Sequence, residues 1–184
     1  MQTLPKLKIS KGVKIFCYTL LIILISIFQM SFLSHFDFLK NINLLLIIII
    51  FTTATNYPLS LIGAIVGGFL LDIYSNFQFG SSIISLVLTV IIIKNIFNNY
   101  FSKHHFFTYP VIGFIGVLSY NFILALFISF FYLIKINEFN FILDKVYLIN
   151  LIWQIILSII CIILLDLLTI LIYTKLKKFF LLKN

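Results

Sequence analysis

Apolar residues follow one another along most of the chain, in runs that polar residues interrupt only briefly. The runs are too long for the core helices of a soluble protein, because about 20 residues are enough to cross the hydrocarbon part of a bilayer. The pattern therefore predicts an all-α, polytopic membrane protein, folded as a compact bundle of six transmembrane helices. The predicted spans are residues 14–33, 39–55, 58–73, 81–97, 109–134 and 146–173.

The polar breaks between these runs are short. The second and third spans are separated only by Asn56-Tyr57-Pro58. Proline is tolerated in the first turn of a helix but disfavours helix in the residue before it, so we expect a tight hairpin here. The loops at residues 36–40, 94–108 and 135–145 are too short to fold by themselves. We therefore expect residues 1–184 to form a single integral membrane domain.

Composition and charge further restrict the class of protein to which the chain can belong. The chain is 62% hydrophobic and only 10% charged, whereas soluble domains carry about 25% charged residues. All of the basic residues are lysines, and with six spans ten of them fall on the side that holds both termini and three on the other. This bias places both termini in the cytoplasm. The lysines lie at the ends of apolar runs, which indicates contact with anionic membrane lipids and no nucleic-acid surface.

The sequence lacks the motifs of common catalytic sites. It has no glycine-rich phosphate loop, no H-E-x-x-H and no serine beside a plausible His/Asp pair. Cys17 and Cys161 lack the paired spacing of a disulfide or metal site, and the adjacent His104 and His105 would point apart on a helix. We expect no enzyme activity, no metal and no cofactor.

The third predicted span carries small residues and an acid at helical spacing. Asp72 stands at the end of this span, where an acid is costly in a membrane unless it has a partner or a function. The residues Gly80-Ser81-Ser82 open the next span and offer free N–H groups and a positive helix dipole. One hypothesis is that Asp72 joins the third and fourth helices across the turn; the rival is that it binds a ligand or partner protein. The small residues are Ser60, Gly63, Ala64, Gly67 and Gly68.

A stripe of polar residues follows one face of the last predicted span. It consists of Asn150, Gln154, Ser158 and Asp166. Two interpretations stand side by side: hydrogen bonds between helices in the bundle core, or the polar wall of a substrate cavity. Asp166 lies about two turns before Lys175, so its carboxylate would either reach the membrane surface or pair inside the bundle.

The segment from Gly67 to Gly80 resembles the rod shape-determining protein MreD family. That family carries a glycine, several apolar residues, Leu-Asp, an apolar pair, a serine, a short turn and then a glycine. Here the matching residues are Gly67 or Gly68, Leu71-Asp72, Ser75 and Gly80. Family members often have glycine and proline inside the turn, where this chain has Asn76, Phe77, Gln78 and Phe79.

The resemblance implies a scaffold of the bacterial cell-elongation machinery in the cytoplasmic (inner) membrane, which positions lateral peptidoglycan synthesis and maintains rod shape. The implied partners are an MreC-like membrane protein, a RodA-type glycosyltransferase, a class B penicillin-binding protein and the actin-like MreB. We expect contacts between helices of this chain and the membrane anchor of MreC. The candidate surfaces are the Ala64/Gly68 face and the turn between Asp72 and Gly80.

Two other classes remain open. The chain also resembles the substrate-binding subunits of energy-coupling-factor vitamin transporters, which are small six-helix bundles with few charges. The first helix of those subunits often carries an Ala-x-x-x-Ala docking face, whereas the first span here has no alanine and only Ser26 among bulky residues. The second alternative is a carrier of lipids or small solutes, which should show broken helices or inverted repeats at the membrane midplane.

Overall fold

The computed structural model describes residues 11–36, 42–75, 78–100, 108–134 and 145–181. Across these residues the chain is all-helical, as predicted. A 3-10 turn at Leu33–His35 lies between the first two α-helices. The α-helices are α1 (Lys11–Ser31), α2 (Leu44–Thr55), α3 (Tyr57–Tyr74), α4 (Ser81–Tyr100), α5 (Thr108–Leu133) and α6 (Lys145–Leu181).

Five of the described helices are long and apolar enough to cross a membrane, and α2 is not. Of the second predicted span, residues 39–55, the described helix covers only Leu44–Thr55. With 12 residues, α2 is roughly 18 Å long, against a hydrocarbon core of about 30 Å. The helix starts late because Asn43 caps it, and Ile42 and Asn43 are not helical.

The short helix α2 lies in the middle of the bundle. It packs against α1, α3, α4, α5 and α6, while the outer helices follow one another in the order α1, α3, α4, α5, α6. Within the described residues, α1 and α6 do not pack against each other, so the ring of outer helices is open between them. Protein surrounds α2 where the other helices meet lipid, which explains how a helix shorter than the bilayer is accommodated. Its buried apolar side chains are Leu45, Leu46, Ile47, Ile49 and Ile50.

The bundle has two ends, which we name after the turns found there. At the Asn56 end, α2 and α3 are joined by Asn56 alone, and Pro58 lies in the first turn of α3. The ammonium of Lys94 lies 5.7 Å from the centre of the Tyr57 ring, a cation–π arrangement that suits a lysine at a membrane boundary. The opposite end, named the Asp72 end, holds the turn between α3 and α4.

The outer helices carry large exposed apolar side chains, as lipid contact requires. Exposure is greatest on α1 and α6, which each contribute few buried residues to the bundle. The helix α6 continues to Leu181, beyond the predicted end of its span at residue 173. The other long helices begin and end within a few residues of their predicted bounds.

Candidate functional site

The carboxylate of Asp72 closes the turn between α3 and α4. Its Oδ2 accepts hydrogen bonds from the backbone N–H groups of Gly80 at 2.9 Å and Ile83 at 3.3 Å. Its Oδ1 accepts one from the N–H of Ser82 at 2.8 Å, and the Ser81 hydroxyl lies 3.5 Å away. Asp72 is only 4% exposed. The contact between Asp72 and the start of the fourth helix, predicted from the sequence, is therefore present.

The carboxylate of Asp72 lies between the ends of two helices. Asp72 lies in the last turn of α3, where the negative end of the helix dipole opposes an anion, and at the first turn of α4, where the positive end attracts one. The N–H groups that it binds have no partner within α4, because the first four N–H groups of any helix lack one. Gly80 adopts a φ of +99°, a left-handed conformation that other residues adopt only with strain.

The small residues of α3 allow three helices of the same chain to approach it closely. A Cβ atom on Gly68 would lie 2.6 Å from the Cα of Ile83 in α4. Equivalent atoms on Gly63 and Gly67 would overlap the side chains of Tyr18 in α1 and Leu45 in α2. The buried residues of this face are Ser60, Gly63, Ala64, Gly67, Gly68, Leu71 and Asp72.

The Ala64/Gly68 face is therefore not open to another protein. Ala64 is 0% exposed and Gly68 is buried against the backbone of α4. Ser75 lies at the end of α3, half-buried, with its hydroxyl 3.4 Å from the carbonyl oxygen of Asp72. This arrangement corrects the sequence-based choice of the Ala64/Gly68 face as a contact surface for a partner. Small residues allow a neighbouring helix to approach closely, and here the neighbouring helices belong to the same chain.

A row of small polar residues is buried on α4, and of these the sequence analysis had singled out only Ser81. Ser81, Ser85 and Thr89 are buried on one face of α4. The hydroxyl of Ser85 donates to the carbonyl of Ser81, and that of Thr89 to the carbonyl of Ser85, both at 2.7 Å. Each hydroxyl is thus satisfied inside its own helix, so that these residues act as small packing positions. Their spacing of four residues was the available signal.

The outer face of the α3–α4 hairpin is apolar and exposed. Ile65, Phe69 and Ile73 lie one helical turn apart on α3 and are each about half exposed. Phe79, in the turn, is 64% exposed and meets the edge of the Phe69 ring at a centroid distance of 5.6 Å. We refer to these four residues as the outer face. Because Asp72 holds the turn, Phe79 is placed in line with the exposed row on α3.

Polar side chains from four helices or their caps converge on a second location, near the Asp72 end. They line a cavity of about 210 Å³ between α1, α2, α5 and α6. Five of the lining side chains are carboxamides and one is a phenol, and no lining residue is charged. We call this space the amide cavity. Its lining residues are Gln29, Ile42, Asn43, Asn121, Tyr147, Asn150, Leu151 and Gln154.

Two of these carboxamides also cap the short helix α2. The side-chain oxygen of Asn43 accepts from the N–H of Leu46 at 3.0 Å, and the side-chain oxygen of Gln29 accepts from the N–H of Leu45 at 3.1 Å. An unpaired N–H group inside a membrane bundle is costly, which accounts for both polar residues. Sequence reasoning missed them; the signal was an asparagine directly before an apolar run.

The predicted polar stripe of α6 divides into two parts. Asn150 and Gln154 line the amide cavity, and the Gln154 side-chain oxygen accepts from the Asn121 amide at 3.1 Å. Ser158 is fully buried, and its hydroxyl has no hydrogen-bond partner among the described residues. Asp166 is half-buried and lies within electrostatic reach of Tyr109, towards the Asn56 end. The structure therefore does not bring Asp166 together with Asn150 and Gln154.

An apolar groove adjoins the amide cavity on the outside of α5 and α6. Its volume is about 330 Å³. It shares Asn121, Tyr147 and Leu151 with the amide cavity. We call it the tail groove. Its remaining lining residues are Leu118, Phe122, Ala125, Leu126 and Ser129.

Metal-binding geometry is not found in the part of the chain that the structure describes: no three His, Cys, Asp or Glu side chains there are close enough to share an ion. Cys17 is exposed and Cys161 half-buried, and both are free thiols. His104 and His105 lie outside the described residues.

No family model matches the chain, and comparison with curated proteins and with solved structures gives no match either. The resemblance to MreD thus rests on the residues from Gly67 to Gly80 alone.

Proposed function

We propose that this chain is a non-enzymatic membrane scaffold that acts, like MreD, in the bacterial cell-elongation machinery. One observation carries the proposal: the residues on which the resemblance depends form a single structural unit. Gly68 allows the close approach of α3 and α4, and Asp72 and Gly80 close the turn between them. A segment with this much internal bonding has a defined shape, which is what a scaffold presents to its partners.

The proposed setting follows from the resemblance and from the lysines. The chain lies in the bacterial cytoplasmic membrane with both termini in the cytoplasm, so that the Asp72 end faces outwards. Its partners are an MreC-like membrane protein, a RodA-type glycosyltransferase, a class B penicillin-binding protein and, on the cytoplasmic side, an MreB-type cytoskeleton. The chain itself contributes position and shape to lateral peptidoglycan synthesis.

The outer face of the hairpin is our proposed contact surface for the membrane anchor of the MreC-like partner. The Ala64/Gly68 face cannot serve, because α1, α2 and α4 cover it. The outer face instead offers a ridge of side chains one turn apart, exposed and fixed by the packing on the other side of α3. Helices associate in membranes through such packing, because lipid tails are as apolar as the side chains and the hydrophobic effect does not drive helices together.

The test is a crosslinked pull-down from native membranes of a tagged chain, read by mass spectrometry. The double variant Ile65→Ala/Ile73→Ala removes two exposed side chains of the outer face. The matched control, Leu164→Ala/Leu168→Ala, removes two leucines of α6 with nearly equal exposure, between 52% and 54% for all four residues. We expect the control to recover the MreC-like protein and the synthases normally, and the outer-face variant to recover about tenfold less.

Equal recovery with both variants would contradict the proposed surface. Recovery of an ATPase pair and a coupling subunit, in place of cell-wall proteins, would contradict the scaffold itself. That result would support the alternative of a substrate-binding subunit of an energy-coupling-factor vitamin transporter. The amide cavity is the observation that favours this alternative, because a subunit that binds a vitamin needs a space lined by hydrogen-bonding side chains.

A further inference from the structure

A cavity at the Asn56 end of the bundle lies between the start of α1 and the turn that joins α2 to α3. Its volume is about 330 Å³. Two lysines of α1 line it together with residues of the turn, and we call it the lysine cavity. Both lysines are exposed, so they are not needed for the packing of the bundle. The lining residues are Lys11, Lys14, Ile15, Asn56, Pro58 and Leu59.

The lysines bring two positive charges to the cavity without an acidic partner. Lys11 and Lys14 are three residues apart, a spacing that puts their side chains on the same face of α1. Neither forms an ion pair within the described residues. Of the two acids in the described part of the chain, Asp72 lies at the opposite end, and Asp166 lies on α6, which does not line the cavity. The positive charge of the cavity is therefore available to an anion.

The turn adds hydrogen-bond donors to the two charges. The side chain of Asn56 does not cap α3 and has no hydrogen-bond partner among the described residues. The N–H group of Leu59, in the first turn of α3, has no acceptor within its own helix. Ammonium, carboxamide and backbone N–H groups all donate to the oxygens of a phosphate, and the charged donors form the stronger bonds. The lining is therefore suited to a phosphate group.

The apolar part of the lining indicates that this phosphate belongs to a lipid. Ile15, Pro58 and Leu59 make up half of the lining residues. Further along α1, towards the middle of the bundle, Phe16 is 67% exposed and Leu20 is 47% exposed. Lysines at the end of an apolar run lie at the level of the lipid head groups, with their stems among apolar groups. A lipid bound here by its phosphate keeps its acyl chains beside α1, whereas a soluble anion would not use the apolar lining.

We propose that the lysine cavity binds the phosphate head group of an anionic membrane lipid. Lys11 and Lys14 neutralise the phosphate, Asn56 and the start of α3 donate hydrogen bonds to its oxygens, and the acyl chains remain in the bilayer. Basic segments attract anionic lipids most strongly at the cytoplasmic surface of a membrane, which agrees with a cytoplasmic Asn56 end. The lipid site does not depend on the scaffold role, and a different experiment tests it.

The experiment measures lipid binding to the purified full chain by native mass spectrometry, with three probes. Phosphatidylglycerol supplies an anionic head group and acyl chains, phosphatidylcholine supplies the same chains with a zwitterionic head group, and glycerol phosphate supplies the anion alone. We expect phosphatidylglycerol to bind about tenfold more tightly than phosphatidylcholine, whose choline would bring a positive charge close to the lysines. Glycerol phosphate should not compete with phosphatidylglycerol at the same concentration.

The first variant, Lys11→Gln/Lys14→Gln, removes both charges at exposed positions and is expected to preserve the fold. It should weaken phosphatidylglycerol binding about 30-fold, or somewhat more than fivefold for each lysine. The matched control, Lys177→Gln/Lys178→Gln, removes the same charge from α6, which does not line the cavity within the described residues. The control should weaken binding by less than about threefold, because salt screens charges outside the cavity.

A second variant separates the cavity from the charges. Ile15→Trp places a larger side chain in the lining and leaves both lysines unchanged, so that it should weaken phosphatidylglycerol binding severalfold. Phe16→Trp is its matched control: Phe16 is the next residue, is 67% exposed and does not line the cavity. We expect Phe16→Trp to bind phosphatidylglycerol as the unchanged protein does.

Four results would overturn the proposal. The first is equal affinity for phosphatidylglycerol and phosphatidylcholine. The second is an equal loss in the two lysine variants, which would mean that the net charge of the protein attracts the lipid. The third is unchanged binding in Ile15→Trp, which would exclude the cavity as the site. The fourth is full competition by glycerol phosphate, which would identify a site for a soluble anion. None of these results depends on whether the chain recovers cell-wall proteins.

Discussion

Single residues at the α3–α4 contact decide how closely the two helices approach. Gly68 and Gly63 are both glycines on α3, but they meet different atoms. A Cβ on Gly68 would collide with the backbone of α4, at the Cα of Ile83, whereas one on Gly63 would meet the end of the Tyr18 side chain. A side chain can rotate away, while a helix backbone can yield only by moving the whole helix.

We therefore expect Gly68→Ala to destabilise the protein by about 1–3 kcal/mol, the range for overpacking in a tight core. Gly63→Ala should cost less, because Tyr18 can shift, and it serves as the matched control. The measurement is the thermal unfolding midpoint of both variants in the same detergent. A larger loss for Gly63→Ala than for Gly68→Ala would contradict the helix contact described here.

At the scale of single residues, the sequence predicted which residues of α3 are important better than it predicted what they contact. The spacing of Ala64, Gly68 and Asp72 predicted a packing face that ends in an acid, and the partner of that acid was correctly expected at Gly80-Ser81-Ser82. Spacing cannot say which helix covers a face. That depends on the order of helices around α2, which is set by contacts between residues far apart in the chain.

Among the helices, α2 depends most on polar groups from outside its own length. Two of its first N–H groups bond to the side chains of Asn43 and Gln29. The second of these comes from α1, so the start of α2 is also a contact between helices. A helix of 12 residues has few internal hydrogen bonds, which makes its ends important to its stability.

Asn43→Ala removes the cap and should cost about 1 kcal/mol of stability, the typical loss for such a residue. Asn43→Ser keeps an oxygen that can accept from the same N–H group and should recover most of the loss. Hydrogen exchange of the backbone amide of Leu46, whose N–H donates to Asn43, measures the effect locally. Unchanged exchange of this amide in Asn43→Ala would show that the cap is not what protects this turn.

The start of α2 also shows why the predicted second span was too long. Hydropathy averages over many residues, and Ile42 and the apolar run after it conceal the end of the helix at Asn43. Asn43 is a helix-start signal, but asparagine is also frequent in a chain rich in Ile, Phe, Asn, Lys and Tyr. For α6 the error was the opposite, because its helix continues past the apolar run into a lysine-bearing segment.

Across the whole molecule, a central short helix and an open ring of outer helices leave two distinct surface regions. The α3–α4 hairpin presents the outer face on one side of the bundle. The amide cavity and tail groove lie where α1, α5 and α6 meet the start of α2. Long apolar runs predicted the helices, and the polar stripe of α6 supplied Asn150 and Gln154 of the cavity lining. The other lining side chains come from α1, α5 and the start of α2, which are far apart in the chain.

The proposed scaffold needs a hairpin whose shape does not change, and the hydrogen bonds to Asp72 hold the hairpin in this way. The central claim is that Asp72 acts on partners only through the shape of the hairpin, since its carboxylate is buried and its oxygens already accept backbone hydrogen bonds.

The joint measurement of thermal stability and partner recovery for Asp72→Asn tests this claim most directly, with Ser75→Ala as the control next to it. An asparagine turns N–H donors towards the N–H groups of α4 and loses hydrogen bonds to a charged acceptor, worth about 1.5–3 kcal/mol each. We predict that Asp72→Asn unfolds several degrees lower and loses partner recovery to a matching extent, while Ser75→Ala changes neither. An Asp72→Asn protein with unchanged stability that recovers no partner would contradict the claim and assign Asp72 to direct contact with a partner or ligand.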